Sequence, residues 1–301
     1  MSLPAAVMEK DLTLRLRGWR WAGVTTLYAA ILAVIALAFL LHQYSLVASQ
    51  SSPTGVHFFQ ALALTELFLI VFVTPATVSG AISGERQHGT WDLLVASPTS
   101  VGSIVWGKLL AGIAFNLILL AASLPFFALV LLFGRMTLVE MAPPFLVFAV
   151  TILLLASTSL LVSALTTRLT VSYMAGMLVA LLLVVGLSIL TVYLEATNQL
   201  APISLGSLPF LSGGAQGPLT PLAQIDPLIA VLSAVPSDSG GTLLGGLGKI
   251  HHAFGLPWTL RLWQAYSLIG VIISAVLVLA TTRLAGARFY VRPPGRAGGD
   301  I

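Results

Sequence analysis

The chain has 301 residues, 57% of them hydrophobic and 8% charged, with a mean hydropathy of +1.00. Soluble domains carry about a quarter charged residues, so this composition excludes a soluble globular protein and marks an integral membrane protein. Fourteen Lys and Arg against ten Asp and Glu give a net charge of +4, too sparse for a nucleic-acid surface, and the lack of cysteine excludes disulfides, thiolate metal sites and a cysteine nucleophile.

Residues 1–20 form a juxtamembrane segment. In MEKDLTLRLRGWRW, Met8, Leu12, Leu14, Leu16 and Trp19 alternate with Lys10, Arg15, Arg17 and Arg20, a mixture that suits either a plain inner-surface anchor or an interfacial helix. The first apolar run begins near Trp21 and is as long as a full span, so it is expected to stay as an anchor rather than be removed as a secretory signal.

Crossing a bilayer in helix takes about 20 apolar residues. Six runs reach that length: Trp21 to Leu41, Phe58 to Ile82, Gly107 to Phe133, Phe145 to Leu165, Val171 to Leu194, and Trp263 to Thr282. The fold class expected is therefore all-α, a polytopic membrane protein with a six-span domain over residues 21–285 and a tail over 286–301. The basic residues set its orientation. With the N-terminus cytosolic, eleven of the fourteen lie inside and only Arg135, Lys249 and Arg261 lie outside, which places both termini in the cytosol. All six tryptophans fall at or near span ends, where amphipathic rings prefer to sit.

Glu66 is the one acid inside a span. Counted from Phe58 it lies about 12 Å below the outer end, a depth at which a carboxylate faces a cavity or a polar partner; if the span starts later, Glu66 lies near the headgroups instead. Asn116 in the third span is the other candidate for a translocation path, although it and Pro75 also read as packing and kink features.

The stretch GERQHGTWDLLVASP, residues 84–98, interrupts the apolar pattern between the second and third spans, within a cytosolic loop over 83–106. Trp91, Leu93, Leu94 and Val95 are too apolar for a free loop and suit a short helix docked on another surface, with Pro98 ending it. Beside it, GSIVWGKL matches the spacing of a phosphate-binding loop but has Leu109 where Ser or Thr is needed and no preceding strand, so nucleotide binding by this chain is not expected. Lys108 there reads as an anchor that snorkels to the membrane surface.

Between the fifth and sixth spans an external region, 195–261, is rich in Gly, Pro and Ser, with one apolar stretch, DPLIAVLSAV, long enough for a short helix or re-entrant segment. No internal repeat, heptad pattern or soluble second domain is present. The five histidines lie in loops or at span ends, and no G-x-S-x-G or H-E-x-x-H occurs, so neither a catalytic residue nor a metal site is expected.

In the 84–98 stretch the sequence resembles the membrane subunits of type-2 ABC exporters. The likeness rests on Glu85, then Gly89 and Thr90, the pair Leu93 and Leu94, Ser97 with Pro98, and Gly107 with Lys108, all in order and in place. LLVSALTTRLTVSYMAG resembles the turn between the family's fourth and fifth spans, and DPLIAVL its proline-containing segment before the last span. The resemblance implies a permease that pairs with a second copy or a sister permease in the lipid bilayer of the plasma or inner membrane. It binds no cofactor itself; a separate ABC ATPase subunit carries ATP and Mg. Gln87 to Ala96 would form the coupling segment, so Glu85, Arg86, Gly89, Thr90, Trp91, Asp92, Leu93, Leu94 and Pro98 are its expected ATPase-coupling residues. Glu85 would brace the loop, Arg86 would stay near the headgroups, and Thr166 to Thr170 would make a smaller second contact. Two other classes are weighed against it: an ion-coupled carrier using Glu66, and a membrane enzyme relying on a single His or Ser.

Overall fold

The computed structural model describes Glu9, Thr13 and residues 19–47, 55–91, 94, 100–132, 137–200, 224–235 and 261–290. In these residues the fold is helical, without strands, and six helices are long and apolar enough to cross a membrane. The first is α1 (Trp19–Val47). The second span comprises α2 (Gly55–Val78) and, after a turn, the short α3 (Ser83–Gln87). Next come α4 (Val101–Leu132) and α5 (Leu138–Leu165). The fifth span is α6 (Leu169–Leu181), one π-helical turn at Leu182–Gly186, and α7 (Leu187–Leu200); α8 (Pro227–Ala234) and α9 (Leu262–Tyr290) follow.

Several helices outrun the apolar runs that predict them. The third and fourth are expected from Gly107 and Phe145 but begin at Val101 and Leu138. The extra turns, VGSIVW and LVEMAPP, are opened by caps. Ser100 Oγ accepts from Ser103 N at 3.3 Å, and Thr137 and Glu140 form a reciprocal capping box, with Thr137 N donating to Glu140 Oε2 at 2.8 Å. Capping satisfies the first amides of a helix by hydrogen bonding, so where each helix starts is set by Ser100 and Thr137 and not by hydropathy. Likewise α7 runs on to Leu200, inside the expected external loop, and α9 to Tyr290, inside the expected tail.

α5 is the central helix, 67% buried over its most apolar window, whereas α1 is peripheral at 17%. Phe58, Phe59, Leu62, Leu119, Phe127, Phe148 and Ile152 fill the core between α2, α4 and α5. Its aromatic rings meet edge-on, Phe59 on Phe127 at 5.3 Å and Phe127 on Phe145 at 5.0 Å, the arrangement their quadrupoles favour. The outward side chains are apolar as well, among them Leu37 on α1, Met174 and Leu178 on α6, and Ile189 on α7, as a lipid-facing surface requires. DPLIAVLSAV, expected to hold a short helix or a re-entrant segment, contains the short helix α8, opened by Asp226, whose Oδ1 accepts from Leu228 N at 2.9 Å and Ile229 N at 3.3 Å.

Candidate functional site

The chain's polar structure concentrates where the second span breaks. α2 ends at Val78, residues 79–82 turn, and α3 resumes at Ser83. The break leaves backbone groups without helical partners, and neighbouring spans provide them. Ser163 Oγ of α5 accepts from Ile82 N and from Ser83 N, both at 3.0 Å. Ser172 Oγ of α6 donates to the Ser79 carbonyl. Two glycines permit this approach: a Cβ on Gly80 would lie 2.5 Å from Tyr173 Oη, and one on Gly176 would overlap Ser79 Oγ.

α3 then closes in a Schellman motif. Gly89 takes the left-handed conformation at φ +70°, Gly89 N donates to Arg86 O at 3.2 Å, and Thr90 N donates to Glu85 O at 2.9 Å. Thr90 Oγ1 adds a bond to the same Glu85 carbonyl at 3.2 Å. The Gly-Thr pair of the sequence pattern thus has a local physical cause: only a residue without Cβ takes that φ at no steric cost.

Glu85 braces the loop through Lys108, whose Nζ lies 2.7 Å from Glu85 Oε1. The lysine side chain is only 5% exposed, which corrects the reading of Lys108 as a snorkelling anchor. A carboxylate 23 residues earlier in sequence neutralises it inside the bundle, so it has no need to reach the headgroups. Arg86 is held by groups of the chain as well. Its Nη1 donates to the Ala164 carbonyl at the end of α5, 2.6 Å away, and its guanidinium lies 5.5 Å from the centroid of the Trp91 ring.

Trp91 is 4% exposed and packs among Ile82, Ile104, Val105, Leu109 and Leu160, with Leu94 against the same cluster. The apolar middle of the loop, read from sequence as a surface for another protein, is at these two residues an anchor into the chain's own core. Four spans end together there and leave a recess that an indole fills. The exposed edge is instead Gln87, His88, Gly89 and Thr90. Asp92, Leu93 and Pro98 lie outside the described residues. The turn at 166–168 sits beside this edge: Leu169 N donates to Gln87 Oε1 at 2.8 Å, and Arg168 is exposed.

Ser163, Ser172, Tyr173, Gly80 and Gly176 were not singled out by the sequence. Ser163, Ser172, Tyr173 and Gly176 lie in the LLVSALTTRLTVSYMAG stretch that carries part of the resemblance, and beyond it their signal was small or hydroxyl residues in otherwise apolar helices, which marks close helix contacts without saying which helices meet.

Glu66 and Asn116 are both buried, at separate places. Tyr28 Oη of α1 donates to Glu66 Oε1 and the Ser123 hydroxyl of α4 lies beside the carboxylate, while Glu66 Oε2 is buried without a hydrogen bond among the described residues. Asn116 ties α4 to α2: Thr74 Oγ1 donates to its Oδ1 at 3.1 Å, and its Nδ2 donates to Thr77 Oγ1 at 3.1 Å and to Gly112 O at 2.8 Å. Of the readings open for Glu66, a polar partner is the one the geometry provides. Beyond the spans, Asp226 is buried and also accepts from Ser188 Oγ at 2.8 Å; burial pushes its pKa above the usual carboxylate range, outweighing the three donors that pull it down.

Comparison with curated proteins gives no match. Comparison with known families matches residues 5–284 to the family described as ABC-2 family transporter protein. That range takes in all six spans, the Glu85–Thr90 loop and α8, so the chain is a multi-pass membrane component of a transporter and belongs to the ABC-2 family of ABC transporter permeases.

Proposed function

We propose that the chain is the membrane-spanning permease subunit of an ATP-driven exporter in the plasma or inner membrane, with both termini cytosolic. It has no catalytic chemistry of its own. Paired with a second permease copy or a sister permease, it forms the translocation path, and a separate ABC ATPase carrying ATP and Mg drives it through the loop after the second span. The observation that carries this reading is how that loop is built. The Schellman turn, the Glu85–Lys108 pair and the buried Trp91 fix its first part, residues 83–91, while Gln87, His88, Gly89 and Thr90 stay exposed. A connector has no need of such reinforcement; a surface that receives force does.

The test is co-expression with an ATPase encoded beside this chain, purification of the complex, and ATP-dependent transport in vesicles. Gly89→Val places a β-branched residue at φ +70°, a strain of about 1–2 kcal/mol, and is expected to leave ATP hydrolysis in place while transport falls about tenfold. Transport by the chain alone, driven by a proton or sodium gradient and lost in Glu66→Gln, would replace this reading with the carrier one.

A further inference from the structure

Three helix ends meet at the break in the second span: the start of α3, the end of α5 and the start of α6. Helix ends carry backbone groups with no partner in their own helix. Two of these ends lack a cap of their own, since neither Ile82 before α3 nor Arg168 before α6 caps through its side chain. Each receives one from across the junction. Ser163 on α5 accepts both amides at the start of α3, and Gln87 on α3 accepts the Leu169 amide that opens α6. Arg86 on α3 donates to the Ala164 carbonyl at the end of α5. A side chain of each partner thus completes the backbone of the other.

We propose that the first loop and the turn joining the fourth and fifth spans are one mechanical unit, locked by Arg86, Gln87 and Ser163, which delivers any displacement of the loop to the start of the fifth span. Sliding the two apart strands the buried amides of Ile82 and Ser83 and breaks the part-buried Arg86 bond and the exposed Gln87 bond, each an unfavourable loss, so the pair moves together. Ser172 on Ser79 and the close contacts at Gly80 and Gly176 continue the joint one turn deeper, against the same helix α6. The third span is joined to the loop differently, through the ion pair of Lys108 with Glu85 and the apolar cluster around Trp91. Arg86, Gln87 and Ser163 are positioning residues; that an ATPase supplies the displacement rests on the function proposed above.

The chain has no cysteine, so a spin-label pair is introduced at His88 and Thr167, both exposed and outside the lock but on the surface proposed to meet the ATPase, so ATPase binding by the labelled chain is verified first. Distances are measured by pulsed electron paramagnetic resonance on the full chain in detergent, then in the ATPase complex with and without nucleotide. One narrow distance, the same in every state, is expected. Gln87→Met keeps the length of the side chain and loses the acceptor; together with Ser163→Ala it is expected to broaden the distribution and, in the complex, to lower transport about fivefold for each cap lost while hydrolysis continues. Gln87→Glu keeps an acceptor facing a helix start and restores the narrow distance, which a merely misfolded variant does not allow. A wild-type pair that is already broad or shifts with nucleotide overturns the proposal, as does a double variant that stays narrow. If no ATPase binds, the detergent measurement still decides the lock, and only the proposed function falls.

Discussion

Glu66 and Glu85 stand on one span, 19 residues apart by number (85 − 66 = 19), about 28 Å along a helix, and the protein accommodates them in opposite ways. Glu85 lies beside a break. The interrupted backbone brings in side chains from the fourth and fifth spans, and the carboxylate has a lysine of the third span at 2.7 Å and a quarter of its surface open. Glu66 lies in unbroken helix, where the backbone satisfies itself and attracts no partners. Its hydrogen bond comes from Tyr28, on the peripheral first span, with the Ser123 hydroxyl of the third span beside it; in both acids the second oxygen is buried without a hydrogen bond among the described residues. A broken helix in an apolar setting organises polar joints around itself, whereas a continuous one leaves a buried carboxylate to whatever side chain packs against it.

That contrast is broken most strongly at Lys108. Lys108→Met leaves Glu85 half-buried without its cation. Removing one partner of a buried pair costs several kcal/mol, which the exposure of Glu85 reduces to about 2 kcal/mol, or about 6 °C in apparent melting temperature. Adding Glu85→Gln removes the orphaned charge, and the double variant is expected to recover most of the loss. Equal melting of Lys108→Met and wild type in detergent would mean the pair contributes nothing.

At Glu66 the expected effect is smaller and depends on the substitute. Glu66→Leu strands the Tyr28 hydroxyl, a loss of about 1.5 kcal/mol, or about 4 °C. Glu66→Gln keeps the accepting oxygen and melts within about 1 °C of wild type, and Glu66→Leu with Tyr28→Phe, which removes both ends of the bond, recovers part of the loss. If Leu and Gln behave alike, the bond to Tyr28 does not hold the first span.

The six spans were legible because a bilayer imposes one length and one composition. Their ends were not, because Ser100, Thr137 and Glu140 extend helices by hydrogen bonding, to which hydropathy is blind. The Glu85 loop was legible through the resemblance, and Gly89 carries a signal of its own, a glycine after a short polar helix. The partners of the loop residues were hidden. Lys108 meets Glu85, Arg86 meets Ala164 and Gln87 meets Leu169 only because α4, α5 and α6 converge on one break, and nothing local in the sequence encodes that convergence. Trp91 shows the same limit, since an indole in a polar loop fits a recess in its own protein as well as one in a neighbour.

Asp226 sharpens the comparison with the smallest effect, because it is a carboxylate at the start of a helix rather than at the end or in the middle of one. Its Oδ1 has three donors, two of them backbone amides, and Asn caps a helix start as well as Asp, so Asp226→Asn is expected to change stability by no more than about 0.5 kcal/mol at neutral pH. The two residues differ in their response to acid. Burial raises the pKa of Asp226 in the folded chain, so the fold holds this proton more tightly than the unfolded chain does. Stability from this group is fully present below the unfolded value of about 4, declines as pH rises toward the raised folded value, and is level above it. Melting temperature followed upward from about pH 4 should therefore carry a falling component that Asp226→Asn removes, and superimposable profiles would show that the amides of α8 and the Ser188 hydroxyl stabilise the charged form enough to cancel its burial.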